Sequence, residues 1–274
     1  MTITHPPEID DSPETRHDAT PGSDDEMDRG ARQGNSVPED EVAAIFDEIA
    51  PVYDRVNTLM TLGLDGRWRR SAVRATGLAS GESAIDVACG TGKLAAELAE
   101  RVGPFGRVVA VDISPRMIER ARSAYGDLVQ LGFELGNALA LPVGTGKFDA
   151  ATIAFGLRNL SDFEAGFREL ARVVRPGGRV VCLELSMPRP MLWGRIYHAT
   201  FRRLAPALGT LFRQGAAYRY LPESLEGFPD ADRLAESMRR SGLVGVSYRR
   251  LSLGAVALHV GTVPQTVRTA SPAG

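Results

Sequence analysis

Cysteine is nearly absent: 274 residues contain only Cys89 and Cys182. Two thiols in apolar segments exclude a disulfide-stapled secreted fold and suit a reducing cytosol. Lysine is as rare, since all but Lys93 and Lys147 of the 32 basic side chains are arginine. That bias points to a GC-rich genome and carries no chemistry. Long apolar runs are missing too, none reaching the ~18 residues a membrane-spanning helix requires. The acidic, polar N-terminus resembles neither a secretory signal nor a transit peptide.

What is present suits a globular core, with 43% apolar residues. The net charge of -2 hides an asymmetry. Residues 1–40 hold eleven acids and three bases, leaving the remainder at +6. The stretch 1–38 is rich in Pro, Asp, Glu, Ser and Gly and is expected to be a disordered acidic tail. A domain over 39–264 follows, and 265–274 is expected to be a second disordered tail. Val42, Ile45, Phe46 and Ile49 recur at helical spacing up to Pro51. After a segment carrying Tyr53, Asp54 and Asn57 comes a helix with Trp68, Ala72 and Val73.

Strands expected at 83–88, 107–112, 131–135, 148–154 and 178–185 alternate with helices at 92–102, 115–125 and 161–174. That alternation predicts an α/β, doubly wound parallel sheet. A helix at 230–241 and two strands, 244–252 and 255–262, joined around Gly254 complete it, the last running antiparallel. After the fifth strand and before that last helix, 190–225 reads as a helical cap. Residues 185–222 hold no acid but six arginines from Arg189 to Arg219 among apolar side chains. Such a basic amphipathic stretch is expected either to meet an anionic membrane surface through 189–219 or to pack as a solvated cap.

Candidate chemistry gathers at the carboxyl ends of the predicted strands, where open α/β sheets bind ligands. Asp86-Val87-Ala88-Cys89-Gly90-Thr91-Gly92-Lys93 joins the first strand to a helix. Gly90 and Gly92 permit a tight turn, and the helix N-terminus offers free N–H groups. Asp112, at the tip of the second strand, is placed to accept ribose hydroxyls. Asn137-Ala138 ends the third strand, where Asn137 is placed to bond an adenine or simply to cap a helix. These features also fit a nicotinamide enzyme. Asp86, four residues before the first glycine, and the antiparallel last strand favour S-adenosylmethionine (SAM). The run Phe148 to Leu160 ends in Arg158 and Asn159, which either hold an anionic oxygen or serve as an ion-pair partner and a helix cap. His259 and His198 are the tempting bases, and His259 lies in an apolar strand typical of a core position.

Several blocks resemble the UbiE/MenG quinone-ring C-methyltransferases over about residues 42–263: Tyr53 through Asn57, Gly63 through Arg69, Thr152 through Asn159, Arg172 through Gly178, Ala217 through Ser224 and Ala255 through Gly261. The Phe-Gly-Leu-Arg-Asn and Tyr-Arg-Tyr-Leu-Pro-Glu-Ser motifs are the most specific. The resemblance implies a Rossmann-like class I SAM-dependent methyltransferase, with a seven-stranded, mostly parallel sheet and a helical substrate cap. It implies methyl transfer from SAM to a ring carbon of a prenylated quinol, demethylmenaquinol above all. Asp86, Gly90, Thr91, Gly92, Asp112, Asn137 and Ala138 would serve the cofactor; Arg158, Asn159 and Tyr53 would serve the ring. Two positions depart from the family pattern. Lys93 stands where Asp usually follows Thr-Gly, and Asp65-Gly66 replaces a frequent His-Arg. No metal and no nucleic-acid partner is expected, an oligomer is left open, and the expected location is the cytoplasm or the membrane's inner face. A ubiquinone precursor, a soluble aromatic acceptor or a non-catalytic SAM-binding role are the other readings.

Overall fold

The computed structural model describes residues 34–186 and 228–265. The proposed membrane-facing stretch 189–219, the cap 190–225 and His198 lie outside them, as do most of both expected tails. Three helices come first: α1 (Glu39–Ile49), α2 (Tyr53–Met60) and α3 (Asp65–Thr76). The first turn of α1 carries Glu39, Asp40 and Glu41, whose charge matches the positive end of the helix dipole. Gly34 and Asn35 donate backbone hydrogen bonds to Ser161 and Leu160.

The alternating part follows as β1 (Ser83–Val87), α4 (Lys93–Val102), β2 (Arg107–Asp112), α5 (Pro115–Tyr125), β3 (Leu131–Leu135), β4 (Phe148–Ala154), α6 (Phe163–Val173) and β5 (Val174–Leu185). The chain closes with α7 (Ala231–Arg240), β6 (Val244–Leu251) and β7 (Val256–Thr262). Side-chain caps set three of the helix starts: Ser114, Asp162 and Asp230 each accept from a backbone N–H three residues on. The N-cap before α6 is thus Asp162, and Asn159 lies instead in a 3-10 turn, Leu157–Asn159.

The seven strands pair in the order β3-β2-β1-β4-β5-β7-β6. The first five run parallel, and β7 is antiparallel to both β5 and β6. This is the expected doubly wound sheet. Strand side chains alternate between two cores, as a period of two requires. Val108 and Ala110 join Leu94, Leu98 and Trp68 on one face; Val109 and Val111 join Phe167, Leu170 and Met238 on the other. The connections reverse direction between β1 and β4, which opens a crevice at their carboxyl ends. Above it, α1 and α2 form a smaller apolar cluster of Ile49, Ala50 and Val56 on Met117 of α5.

Candidate functional site

Two cavities fill that crevice. The larger, of about 520 Å³, is lined by Tyr53, Asp86, Gly90, Thr91, Arg158 and a mainly apolar wall that includes Trp68, Leu62 and Leu253. The smaller, of about 60 Å³, is lined by Asp112, Ile113, Asn137, Ala138, Asn159 and Glu39. Tyr53, Ala88, Gly90, Ala154 and Phe155 belong to both and stand between them. Every residue expected at the site therefore lines one cavity or the other except Gly92. Its φ of 82° is one that only glycine adopts cheaply, and a Cβ there would stand 2.9 Å from the Phe133 ring. Gly92 shapes the turn from behind.

Five non-glycine residues among those described have positive φ: Leu62, Ala88, Phe155, Ser252 and Leu253. All five line the larger cavity. Such backbones cost about 1–3 kcal/mol each and persist at sites that the surrounding structure over-determines. Gly156 lets β4 approach the β1 turn so closely that a Cβ would meet the Ala88 Cβ at 2.4 Å.

Asp86 is buried at the end of β1, and its Oδ1 accepts a hydrogen bond from Thr152 Oγ1 at 2.6 Å. Its Oδ2 is buried and makes no well-formed hydrogen bond, the Ala95 N–H being the backbone donor that acts on the carboxyl. Burial, opposed by Thr152 and reinforced by the nearby Asp112 carboxylate, pushes its pKa up to about 7. Asp112 accepts from the Gly90 N–H at 2.8 Å and the Ser114 N–H at 2.9 Å. Burial outweighs these bonds and raises its pKa as well. The Cys89 thiol is held neutral by burial.

At the β4 end Arg158 takes the ion-pair alternative while it also lines the larger cavity. Arg158 Nη1 pairs with Glu184 Oε1 at 2.7 Å and donates to the Phe155 carbonyl at 2.6 Å. Both partners of the ion pair are buried. Glu184 was missed in the sequence, although an acid inside the apolar run of β5 was the available signal. Burial raises the Tyr53 pKa against the opposing charge of Arg158.

Other contacts tie the three N-terminal helices to the crevice. Asp54 Oδ1 accepts from Thr91 Oγ1 at 2.8 Å and pairs with Lys93 Nζ at 3.1 Å. The departure at Lys93 is thus matched by a carboxylate from α2. Asn137 donates to Glu39 of α1, a residue the sequence reading did not single out, and accepts from the Leu139 N–H. Asp65 bonds Arg69 at 2.8 Å, so the second departure forms an ion pair at the cavity wall. His259 lines neither cavity. It is fully buried, with Nε2 2.9 Å from the Ala231 carbonyl, and burial lowers its pKa to about 4.

A buried carboxylate oxygen without a well-formed hydrogen bond, a glycine turn at a helix N-terminus and a second carboxylate one strand over together suit a cationic amino acid joined to a ribose. Residues 35–263 match the model of the ubiE/COQ5 methyltransferase family. The chain belongs to that family. A demethylmenaquinone methyltransferase from Thermus thermophilus is 44% identical over 222 residues, spanning 80% of this chain and 100% of the relative. A ubiquinone/menaquinone biosynthesis C-methyltransferase UbiE from Hahella chejuensis is 39% identical over 229 residues, 81% of this chain and 91% of the relative. Among solved structures, the cyclase SpnF superposes with a TM-score of 0.62 at 17% identity, over 85% of this chain and 100% of that one. The last likeness is one of fold alone. Family membership makes the chain a methyltransferase, and the buried Asp86 Oδ2 offers an acceptor for a cationic amino group. No helix among the described residues is long and apolar enough to cross a membrane.

Proposed function

We propose that the protein methylates a ring carbon of a prenylated quinol, demethylmenaquinol, in menaquinone biosynthesis. The family match supports the reaction class, and the apolar cavity beside Asp86 is the observation that carries the substrate reading. SAM, when bound, supplies an electrophilic methyl group. Asp86 Oδ2 is the acceptor suited to its ammonium, and Gly90 and Thr91 border the same end. Asp112 keeps lone pairs for the ribose hydroxyls beside those used by Gly90 and Ser114. Asn137 and Ala138 border the adenine side, with Gly92 shaping the turn.

The acceptor carbon becomes nucleophilic when the neighbouring ring hydroxyl loses its proton, which requires the reduced quinol. Arg158 stays protonated and so is no base. Its role is to steady the phenolate as charge develops, with Glu184 fixing where the guanidinium stands. Tyr53, on the wall shared by the two cavities, orients the ring, and water takes the proton. Asn159 borders the cofactor side rather than the ring expected of it. Catalysis is then mainly positioning, with methyl and acceptor about 3–3.5 Å apart. The stretch 189–219 remains a candidate surface for collecting substrate from an anionic membrane, beside a cytoplasmic location.

Mass spectrometry of a demethylmenaquinone incubated with SAM, reduced in one sample and oxidised in another, tests this. A gain of one methylene in the reduced sample alone is expected. No gain in either, with SAM bound, would transfer the assignment to another acceptor. A ubiquinone precursor and a tail-less aromatic belong in the same assay.

A further inference from the structure

The larger cavity does not end at its polar floor. It shares Leu62, Asp54 and Lys93 with a shallow, open groove that continues past Leu59 along the outer side of α2. Large apolar side chains are exposed at the junction and on either wall: Leu62, shared by both, is 84% exposed, Leu253 of the cavity 77% and Leu59 of the groove 51%. Leu62 and Leu253 hold left-handed backbones, with φ of 51° and 57°. Branched side chains in that region are rare because the backbone is strained there. A solvent-facing turn would ordinarily carry Gly or Asn. Two strained, exposed leucines lining one cavity, from the α2–α3 and β6–β7 turns, instead mark apolar contact with something that leaves the cavity.

A volume of about 520 Å³ lies within the range that encloses a single drug-sized ligand. A quinol head beside the methionine end of SAM occupies that scale of space, so a polyisoprenoid chain has to leave. Asp86, Thr91 and Arg158 mark the polar end of this mainly apolar cavity, and the exposed Leu62 and Leu253 carry its apolar wall out to solvent. We propose that Leu62 and Leu253 form a seat for the first isoprene units of the substrate's tail, and that Leu59 continues it along the groove. The seat rests on the quinol reading above.

The test compares specificity constants for demethylnaphthoquinols carrying no tail, one, two and four isoprene units. Wild-type protein is set against Leu62→Asn, Leu253→Asn and the double variant. Asparagine tolerates the left-handed backbone, so these exposed replacements relieve strain and keep the fold. Wild type is expected to gain in kcat/KM over the first two units, through KM, and then level off. The double variant is expected to lose about tenfold of that tail-dependent gain, with SAM affinity as in wild type. An unchanged tail dependence in the variants, or an equal loss on the tail-less acceptor, would overturn the seat. Wild type turning over tail-less and tailed acceptors alike would also overturn it while leaving the quinol reading standing. Absence of transfer to every acceptor would remove both.

Discussion

Arg158 and Glu184 form an ion pair at 2.7 Å with both side chains buried, joining the turn after β4 to the end of β5. The arginine that lines the cavity is therefore also a structural group. Deleting one member leaves the other charge buried and unpaired, which costs about 3–5 kcal/mol.

Arg158→Ala is accordingly expected to lower stability by several kcal/mol and to abolish transfer, so activity alone does not separate the two roles. The double variant Arg158→Met, Glu184→Leu removes both charges and should recover most of the stability, read by urea denaturation, without recovering turnover. Recovered turnover would assign Arg158 to structure only. SAM affinity in the double variant should stay within a few-fold of wild type by calorimetry.

The proposed pairing of Asp86 with the cofactor's ammonium predicts a pH dependence of binding. Its pKa near 7 means that below neutrality the carboxyl is protonated and cannot pair with an ammonium. SAM affinity is expected to rise between pH 5.5 and 7.5, with a proton released on binding. Asp86→Asn should weaken binding and flatten the profile. In the free protein the sign reverses. A raised carboxyl pKa contributes stability that is complete below about pH 4 and lost as pH rises through about 7, on the order of 4 kcal/mol. Stability measured against pH should therefore fall less steeply in Asp86→Asn than in wild type.

His259 shifts the other way. With its pKa lowered to about 4, it contributes stability present above about pH 6.5 and lost as pH falls through 4, roughly 3 kcal/mol. His259→Gln keeps a donor for the Ala231 carbonyl and removes the titration. It should retain the wild-type pH profile of kcat while losing less stability on acidification. A displaced kcat profile would bring His259 back as a base.

Asp54 joins α2 to the cofactor turn through Thr91 and Lys93. The Asp54–Lys93 pair is about a third exposed, so its coupling should lie below about 1 kcal/mol and weaken in salt. A double-mutant cycle on SAM affinity with Asp54→Asn and Lys93→Met, at low and high ionic strength, measures it. The Thr91 hydroxyl bond is less screened, and Thr91→Val is expected to cost more than Lys93→Met.

Alternation of apolar strands with amphipathic helices, the turn at Gly90 and Gly92, the carboxylates Asp86 and Asp112, and the antiparallel last strand were all legible in the sequence. Each depends on residues close along the chain, whose periodicity and backbone preferences are local. The side-chain partners were not. Arg158 finds Glu184 across 26 residues, Thr91 finds Asp54 across 37, and Asn137 finds Glu39 across 98. The left-handed leucines of the larger cavity, from turns nearly two hundred residues apart, were equally hidden. Local pattern determined the scaffold and the ends of its strands. Which charges neutralise one another, and which apolar groups stay open, depends on how remote segments pack, and only the tertiary structure decided that.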